Sequence, residues 1–502
     1  MEDKTMKKSV FGIAALLLAL AACNKVETDI TPAGQSSAEG ITITATLAPK
    51  TADTKAVSEG TNKIEVSWAE NEKMAILYEV SGNKYVADAE IKSVDAGGSA
   101  TIEFTVVDGT PDNTPCTLVY PLAAAKDDHT GVKDAVTLLA AQDGTLSANL
   151  DVRVGAGTIQ TTTPGLDVAT QPAAQYSIFK FTVRGADGTT AISARPLTIT
   201  VGTQDYVITP AAATDVLYAA LPAVSDEKVS FDATDGSDRT YTCAKLSASF
   251  EAGKYYQSTL KMREYVDLGT VVGGKKIKWA TCNVGAANPQ DYGDYFAWGA
   301  TMPYYKAGHS QDSPCNDWID GKDGYNWKSY PFMEDGQSSW KRITKYTFAD
   351  GQTDGTRWYD GTTFKGDNGD GVEHRDFASY GYADDAARAN WGGKWRTPTD
   401  AEWTWLRNNC TWTWTGDYLG DGSNKAGRIV TSNVNGNVIF LPAAGFRGYA
   451  NLYEAGFGGY YWSSSLGEYS SDDARRVRFY DTSVYRDYGN RYYGHSVRPV
   501  TE

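Results

Sequence analysis

The sequence is poor in the residues and motifs that most enzymes need. Only four His occur among 502 residues, and none stands at the His-x-x-x-His or His-Glu-x-x-His spacing of a zinc site. The chain also lacks a Gly-x-Ser-x-Gly elbow, a phosphate-binding Gly-Lys-Ser/Thr loop and a dinucleotide fingerprint. A glycosidase needs two carboxylates at a defined separation in space, and the sequence alone does not decide whether such a pair is present. We therefore predict that the protein is not an enzyme.

Positive charge is also scarce. The chain has 47 Lys and Arg against 62 Asp and Glu, which gives a formal net charge of -15 and a pI near 4.9. This balance repels nucleic-acid backbones and anionic headgroups, so no nucleic-acid partner is expected. The 50 Gly residues and frequent turn dipeptides are typical of an extracellular, mainly β protein.

The one long apolar run lies at the N-terminus. A basic segment, Met6-Lys7-Lys8, precedes a run from Val10 to Leu20 that is too short to span a bilayer. The run ends in Leu20-Ala21-Ala22-Cys23, which resembles the bacterial lipobox. We expect residues 1–22 to be a lipoprotein signal peptide and Cys23 to be lipidated. An ordinary secretory signal is the alternative.

A polar segment follows this anchor. Residues 23–39 hold the lipidated Cys and a stretch rich in Thr, Ser, Ala and Gly, which predicts a flexible tether. Lys25, Glu27 and Asp29 are similar to the export signal of Bacteroidetes surface lipoproteins, although such charges also serve solvation alone. We expect the protein to be lipid-anchored at the outer membrane and exposed on the cell surface, with the lipid as its membrane contact.

Residues 40–262 alternate short apolar and polar positions, with polar turns between the segments. Such period-2 alternation predicts half-buried antiparallel strands, and their succession predicts β-sandwiches. The clearest segments are Ile41–Leu47, Lys63–Trp68, Ala100–Val106, Ser177–Val183 and Leu197–Val201.

This half resembles type V fimbrillins, the pilus subunits of Bacteroidetes. The resemblance rests on the lipobox, Thr54-Lys55-Ala56, Trp68 with Met74-Ala75-Ile76, and the closing segment 252–262. It implies two transthyretin-like sandwiches, residues 40–152 and 153–262. It also implies proteolytic processing at Lys55 and Ala56, where the family commonly has Arg-Ala, and association with other subunits by β-strand addition.

The composition changes abruptly at residue 263. Of the 14 Trp residues, 13 lie beyond this point. The change predicts a separate, independently folding domain over residues 263–502, with a protease-sensitive boundary near Arg263. Within it, Thr397-Pro398-Thr399 supplies capping chemistry for a helix from Asp400 to Asn409.

The C-terminal segment resembles the Fibrobacter-type major paralogous domain, whose fold is similar to C-type lectin-like domains. The matching motifs stand in order: Tyr265–Gly269, Trp279–Ala286, Asp291–Gly299, Asp384–Ala387, Trp391–Thr399, Leu441–Gly445, Tyr461–Ser465 and Gly494–Val500. The resemblance implies a loop-rich α+β lectin-like domain. Formylglycine-generating enzymes share that fold, and their oxidase chemistry needs a pair of reactive thiols. Cys282, Cys315 and Cys410 lie far apart in the sequence, which disfavours such a pair.

Two further site hypotheses concern cysteines and an acidic loop. Cys282 and Cys410 are expected to form a disulfide or to be two buried thiols, and five Cys besides Cys23 forbid complete pairing. Asp367 and Asp370 are candidates for Ca²⁺ binding. Gly369 and Gly371 stand at positions where an EF-hand needs oxygen-bearing side chains, so this segment is favoured as an ordinary surface loop. No other cofactor or metal is expected.

Aromatic residues are the most suggestive chemical feature of residues 263–502. Their rings stack on the C–H faces of sugars, and they also fill cores that have few aliphatic side chains. Trp395, Trp403 and Trp462, inside the family motifs, are predicted core residues. Six residues outside the tightest motifs are candidates for ligand binding: Trp358, Tyr359, Tyr485, Tyr488, Tyr492 and Tyr493.

Together these features predict a cell-surface adhesin in which a fimbrillin-like stalk presents a lectin-like head to a glycan or surface protein of a host or microbe. A structural or anchoring pilus subunit with an architectural C-terminal domain is the alternative. No Arg precedes Arg153, and residue 262 continues into 263–502 rather than a free donor strand. We therefore expect a pilus tip or a free-standing lipoprotein.

Overall fold

A computed structural model of the chain describes residues 40–50, 58–60, 63–65, 67–147, 150–306, 314–347 and 362–502. The fold is mainly β, with several sheets in a sandwich-like arrangement, as the alternation predicted. Cys23, Lys55, Ala56, Trp358 and Tyr359 lie outside the described residues. None of the helices in the described part of the chain is long and apolar enough to cross a membrane.

Seven of the ten described N-terminal strands form one antiparallel sheet. The ten strands are β1 (Ile41–Leu47), β2 (Ser58–Gly60), β3 (Lys63–Glu65), β4 (Lys73–Val80), β5 (Asn83–Val94), β6 (Ala100–Val106), β7 (Thr114–Tyr120), β8 (Ala141–Gln142), β9 (Arg153–Gln160) and β10 (Gly165–Ala174). The sheet order is β1-β6-β5-β4-β7-β9-β10, while β2 pairs with β3 and β8 joins the next sheet. A 3₁₀ turn, Leu122–Ala124, and the helix α1, Ala135–Leu139, follow β7.

This sheet closes around its own core and crosses the boundary expected at residues 152 and 153. The Ala48 N–H donates to the Gln171 side chain at 3.2 Å, which joins the end of β1 to β10. Strand β9 pairs with the whole of β7 and then with β10, so the sheet continues to Ala174. The sheet passes the expected boundary because the Gly-rich stretch after it is a strand. A Cβ at Gly155 would lie 2.6 Å from the Thr170 carbonyl oxygen, so glycine allows close pairing with β10.

The second sheet packs directly against the first. Its strands are β11 (Tyr176–Gly185), β12 (Ala194–Val201), β13 (Gln204–Ile208), β14 (Val216–Pro222), β15 (Val224–Asp235), β16 (Thr240–Phe250) and β17 (Tyr255–Val272), in the order β14-β11-β17-β16-β15-β12-β13-β8. Phe179, Phe181 and Phe231 lie in a core that also contains Leu77 and Val119 of the first sheet. The two sheets therefore share buried apolar surface.

Strand β17 crosses the second expected boundary without a break. It pairs with β11 up to Met262 and with β18, Lys275–Ala280, from Tyr265 onward. Arg263 between them is paired with Thr242 of β16. The position expected to be a protease-sensitive boundary therefore lies inside a paired strand. Strand pairing is carried by the backbone, so a change in side-chain composition does not have to coincide with a gap between domains.

The C-terminal region is rich in loops and has small sheets. Its remaining elements are α2 (Ala386–Trp391), α3 (Asp400–Asn409), β19 (Cys410–Thr415), β20 (Gly427–Ser432), β21 (Val438–Pro442), β22 (Phe446–Gly448), β23 (Asn451–Tyr453), β24 (Gly459–Leu466), β25 (Asp473–Phe479), β26 (Val484–Asn490) and β27 (Val500–Thr501). Two 3₁₀ turns cover Trp340–Arg342 and Phe377–Tyr380. The sheets are β19-β20-β21 and β24-β25-β26, with a hairpin β22-β23, and β27 pairs with β18.

Helix α3 has the bounds and the cap that the sequence predicted. The Thr399 side chain accepts from the Glu402 N–H, and the Glu402 carboxylate accepts from the Thr399 N–H. Glu402 also binds Arg396 through two buried hydrogen bonds of 2.8 and 2.6 Å. Trp403 donates its indole N–H to the Trp462 carbonyl at 3.1 Å. The predicted core residues Trp395, Trp403 and Trp462 are confirmed as buried.

Candidate functional site

An open cleft lies between β19 and the turn that joins β25 to β26. Its volume is about 820 Å³, within the range of roughly 300–1,000 Å³ of small-molecule sites. Four aromatic rings line it, those of Trp414, Phe457, Tyr480 and Tyr485. Phe457 is 75% exposed and Tyr485 is 44% exposed. Large ring faces are thus held at the surface around a concave space.

The hairpin β25-β26 places two of these rings. Phe479 pairs with Val484, and the turn between them closes with a 2.9 Å hydrogen bond from the Tyr480 N–H to the Ser483 carbonyl. Along β26, alternate side chains lie on opposite faces of the sheet. Tyr485 and Asp487 therefore share one face, whereas Tyr488 lies on the other.

Arg428 of β20 holds this turn against β19. Its buried guanidinium donates to the carbonyls of Tyr480 at 2.6 and 2.9 Å and of Asp481 at 2.9 Å. It also donates to the Trp412 carbonyl at 2.6 Å. The same guanidinium lies 5.9 Å from the Trp414 ring. One side chain thereby fixes both walls of the cleft relative to each other.

A network of charged side chains packs against the rings of Tyr480 and Tyr485. The Arg478 guanidinium lies 4.8 Å from the Tyr485 ring and 5.6 Å from the Tyr480 ring. Arg478 and Arg476 each donate to one oxygen of Asp487, at 2.6 and 2.9 Å. Burial lowers the pKa of Arg478, but the hydrogen bonds and charges of Asp487 and Tyr480 together raise it overall, so the guanidinium stays charged.

The hydroxyl of Tyr480 continues this network into the protein. It lies 2.6 Å from the Tyr460 hydroxyl, which in turn donates to the Glu454 carboxylate. Arg478 donates to the Tyr480 hydroxyl at 3.1 Å. Burial raises the pKa of Tyr460, so this hydroxyl stays protonated at neutral pH. Tyr480 is therefore held in place rather than free to rotate out of the cleft.

The rim of the cleft is polar. Its lining includes Asn424, Asp481, Thr482 and Ser483, and the first three of these are exposed. Amide, carboxylate and hydroxyl groups offer both donors and acceptors of hydrogen bonds. The arrangement can stack an apolar ligand face on the rings and bind hydroxyl groups at the rim.

The structure divides the tyrosines that the sequence singled out. Tyr485 lies in the cleft, whereas Tyr488 lies on the opposite face, with its ring 6.1 Å from that of Tyr469. Tyr492 is buried and packs on Trp327, with ring centroids 4.9 Å apart. Tyr493 packs on Tyr492 at 4.5 Å. The four therefore do not form one site, because β26 alternates and the chain turns into the core after it.

Sequence reasoning missed three of the cleft's aromatic residues. Trp414 belongs to the alternating segment Thr411-Trp412-Thr413-Trp414-Thr415, whose period already indicated a strand with Trp on one face. Phe457 stands between Gly456 and Gly458, a pattern typical of a loop tip rather than a core strand. Tyr480 follows a strand and precedes a polar turn. No local signal showed that these segments meet.

The expected disulfide between Cys282 and Cys410 is absent, because both are free thiols. The Cys282 sulfur lies 3.7 Å from the Ala287 carbonyl oxygen, on the loop after β18. Cys410 starts β19 and packs in the aromatic core, where burial raises the pKa of its thiol to about 11. Cys116, Cys243 and Cys315 are also free. Of the two thiols considered as the alternative, Cys410 is buried and Cys282 is partly exposed.

The acidic loop does not form the Ca²⁺ site considered from the sequence. Asp367 accepts hydrogen bonds from the Tyr346 N–H at 2.5 Å and from the Tyr380 hydroxyl at 2.8 Å. Asp370 accepts from the Val372 N–H at 2.9 Å. Within the described ranges, no group of three or more His, Cys, Asp or Glu could hold a metal ion. Internal hydrogen bonds instead engage one oxygen of Asp367, Oδ2, and hold Asp370 within its own loop.

No protein-family model and no curated protein matches the sequence. Among solved structures, a fimbrial assembly protein from Parabacteroides distasonis shows 12% identity and a TM-score of 0.28, over 45% of this chain and 94% of that chain. A fimbrial protein from Bacteroides ovatus shows 11% identity and a TM-score of 0.24, over 93% of this chain and 99% of that chain. TM-scores of this size do not establish a family for the chain.

Proposed function

We propose that the protein is a cell-surface adhesin, a binding protein rather than an enzyme, whose C-terminal region recognises a glycan through the cleft around Tyr485. The observation that carries this proposal is the cleft itself. It combines exposed ring faces of Phe457 and Tyr485 with a polar rim on a braced scaffold. Aromatic faces bind the C–H faces of sugars, and a fixed rim loses little conformational entropy on binding.

The remainder of the chain fits a stalk that carries such a head. The lipobox ending in Cys23 and the polar residues 24–39 would anchor the protein to the outer membrane and lift it from the surface. Strand β17 then runs from the second sandwich into the C-terminal region, so force on the head passes along one continuous strand. Because β17 leads into a further 230 residues beyond Val272, a terminal position on a pilus or a free-standing lipoprotein fits better than a repeating subunit.

The alternative is a structural or anchoring pilus subunit. The observation that favours it is the same uninterrupted β17, since an architectural extension needs a rigid junction but needs no ligand. The two functions differ in one property. Only an adhesin binds a ligand outside the pilus with an affinity that depends on the cleft.

A glycan array tests the proposal. Residues 24–502, labelled away from the cleft, should bind one class of glycan, and free glycan of that class should compete. Absence of binding to any glycan would contradict the recognition function and favour the structural subunit.

A parallel Cys23→Ala variant of the full chain should leave the membrane fraction or remain unprocessed. A correctly processed variant that stays in the membrane would contradict lipid anchoring.

A further inference from the structure

A buried lysine and a buried aspartate face each other in the first sandwich. Lys50 follows β1, and Asp151 precedes β9, 101 positions along the chain. The Lys50 Nζ lies 3.0 Å from Asp151 Oδ2, and the two side chains are 1% and 2% exposed. Water is therefore excluded from a contact between a primary amine and a carboxyl group.

Aromatic rings enclose the amine. The Lys50 Nζ lies 4.3 Å from the centre of the Trp68 ring and 3.9 Å from that of Tyr120. Burial lowers the pKa of Lys50 in spite of the opposing attraction of Asp151. Compared with an exposed lysine, the surroundings thus shift the equilibrium of Lys50 toward the neutral amine, which is the nucleophilic form.

Two further charged groups stand around the pair. The Arg153 Nε donates to both oxygens of Asp151, at 2.8 and 2.9 Å. Glu72 interacts electrostatically with Lys50 and hydrogen bonds to the Tyr120 hydroxyl. Arg153 is placed to polarise the carboxyl group, and Glu72 is a neighbouring carboxyl group whose charge acts on Lys50.

We propose that Lys50 and Asp151 form an intramolecular isopeptide bond. A proton passes from the Lys50 ammonium to Asp151 within the ion pair, which leaves an amine beside a carboxylic acid. The Nζ lone pair then attacks Cγ, and Glu72 transfers a second Nζ proton to the departing oxygen. The Cγ–O bond breaks, one water leaves and one amide N–H remains, so the step needs no oxidant, reductant or cofactor.

The charges around the site are consistent with this product. Before the reaction the site holds two cations, Lys50 and Arg153, and two anions, Asp151 and Glu72. Afterwards Arg153 and Glu72 remain and still balance each other, while the other two charges have gone. Two buried charges carry a desolvation cost that a neutral amide does not.

The bond would tie the end of β1 to the start of β9. It would close a covalent loop that contains β4 to β7, the strands between them in the sheet. A sandwich closed in this way cannot extend along the chain under tension between those two points. The inference concerns the first sandwich and does not depend on the glycan cleft.

Mass spectrometry of denatured residues 24–502 tests the bond. The expected intact mass is lower than the sequence mass by one water, and digestion should release a branched peptide that joins Lys50 to Asp151. Lys50→Arg should restore the full sequence mass, which a cyclised aspartate elsewhere would not do. A wild-type mass equal to the sequence mass, with separate Lys50 and Asp151 peptides, would overturn the proposal.

Two more variants and one internal control sharpen the result. Asp151→Asn should give the same amide by loss of ammonia, so its product should have the wild-type mass. Glu72→Gln should leave Lys50 and Asp151 unlinked, and an unchanged yield of the branched peptide would contradict the role of Glu72. Lys73 and Asp88 lie 3.8 Å apart in the same sheet but are about half exposed, and they should stay unlinked.

Discussion

The guanidinium of Arg263 lies 4.1 Å from the centre of the Trp391 ring, across the junction between the second sandwich and the C-terminal region. Burial lowers the pKa of Arg263 to about 10. The Lys278 amine adds a 3.2 Å contact to Asp232. The residue expected to mark a protease-sensitive boundary is therefore part of a packed junction.

Trypsin should not cut native protein at Arg263. Cleavage needs local unfolding, and β17 is paired on both sides of this residue. Trp391→Ala should remove a contact of about 1–2 kcal/mol and speed cleavage at Arg263. The matched control is Trp340→Ala, which removes a ring beside Lys341 in another part of the C-terminal region. This variant should not speed cleavage at Arg263. Rapid cutting at Arg263 in the native wild-type protein would show instead that this segment is accessible to protease.

Loss of the α3 cap should destabilise the C-terminal region. Thr399→Ala removes the side-chain acceptor of the Glu402 N–H and should lower the unfolding free energy by about 1 kcal/mol. Tryptophan fluorescence reports this region because 13 of the 14 Trp lie after residue 262. Thr413→Ala, at an exposed position of β19, is the control. Equal midpoints for the two variants would show that the capping box contributes no stability.

Asp473 should make stability depend on pH. Burial, followed by repulsion from Asp472, raises the pKa of Asp473 from 3.8 to about 6. Between these values the folded protein binds a proton that the unfolded chain has released, so stability falls as pH rises through this window. Asp473→Asn should therefore raise Tm at pH 7, and the gain should vanish at acidic pH. Asp335→Asn, at an exposed loop position, is the control for lost charge. A gain that is the same at all pH values would contradict this assignment.

Five thiols should be free in residues 24–502. All five should react with a thiol reagent in denaturant without reductant. In the native protein Cys116 and Cys243 should react slowly at neutral pH, because burial raises the pKa of each to about 12 and the thiolate is the reactive form. A titre below five after unfolding would reveal a disulfide.

Local signals in the sequence predicted the local structure well. The alternation of Ile41–Leu47 and Ala100–Val106 gave strands with the observed bounds, and the Thr399 cap gave helix α3. Both depend on residues that are neighbours in sequence. The expected domain boundaries fall within paired strands, because pairing of β9 with β7, and of β17 with β11, joins segments that are far apart in the chain.

The candidate site was predictable only in part, for the same reason. Tyr485 was identified by its aromatic character, but the cleft needs Trp414 and Phe457 from other segments and Arg428 to hold them together. No signal in the sequence pointed to Lys50 and Asp151. Their chemistry arises from burial and from a close contact between residues that lie 101 positions apart in the chain. Composition can suggest a kind of ligand, whereas a site depends on tertiary contacts.

The most direct test of the glycan cleft compares two tyrosines of one strand. Tyr485 and Tyr488 are 44% and 39% exposed on opposite faces of β26, so their replacement by Ala removes similar rings from similar surroundings. Binding of residues 24–502 to the glycan identified on the array should be measured by calorimetry. We predict that Tyr485→Ala weakens binding about tenfold or more, the effect of roughly 1.4 kcal/mol, and that Tyr488→Ala leaves it unchanged. Equal affinities for wild type and Tyr485→Ala would contradict the proposed recognition site.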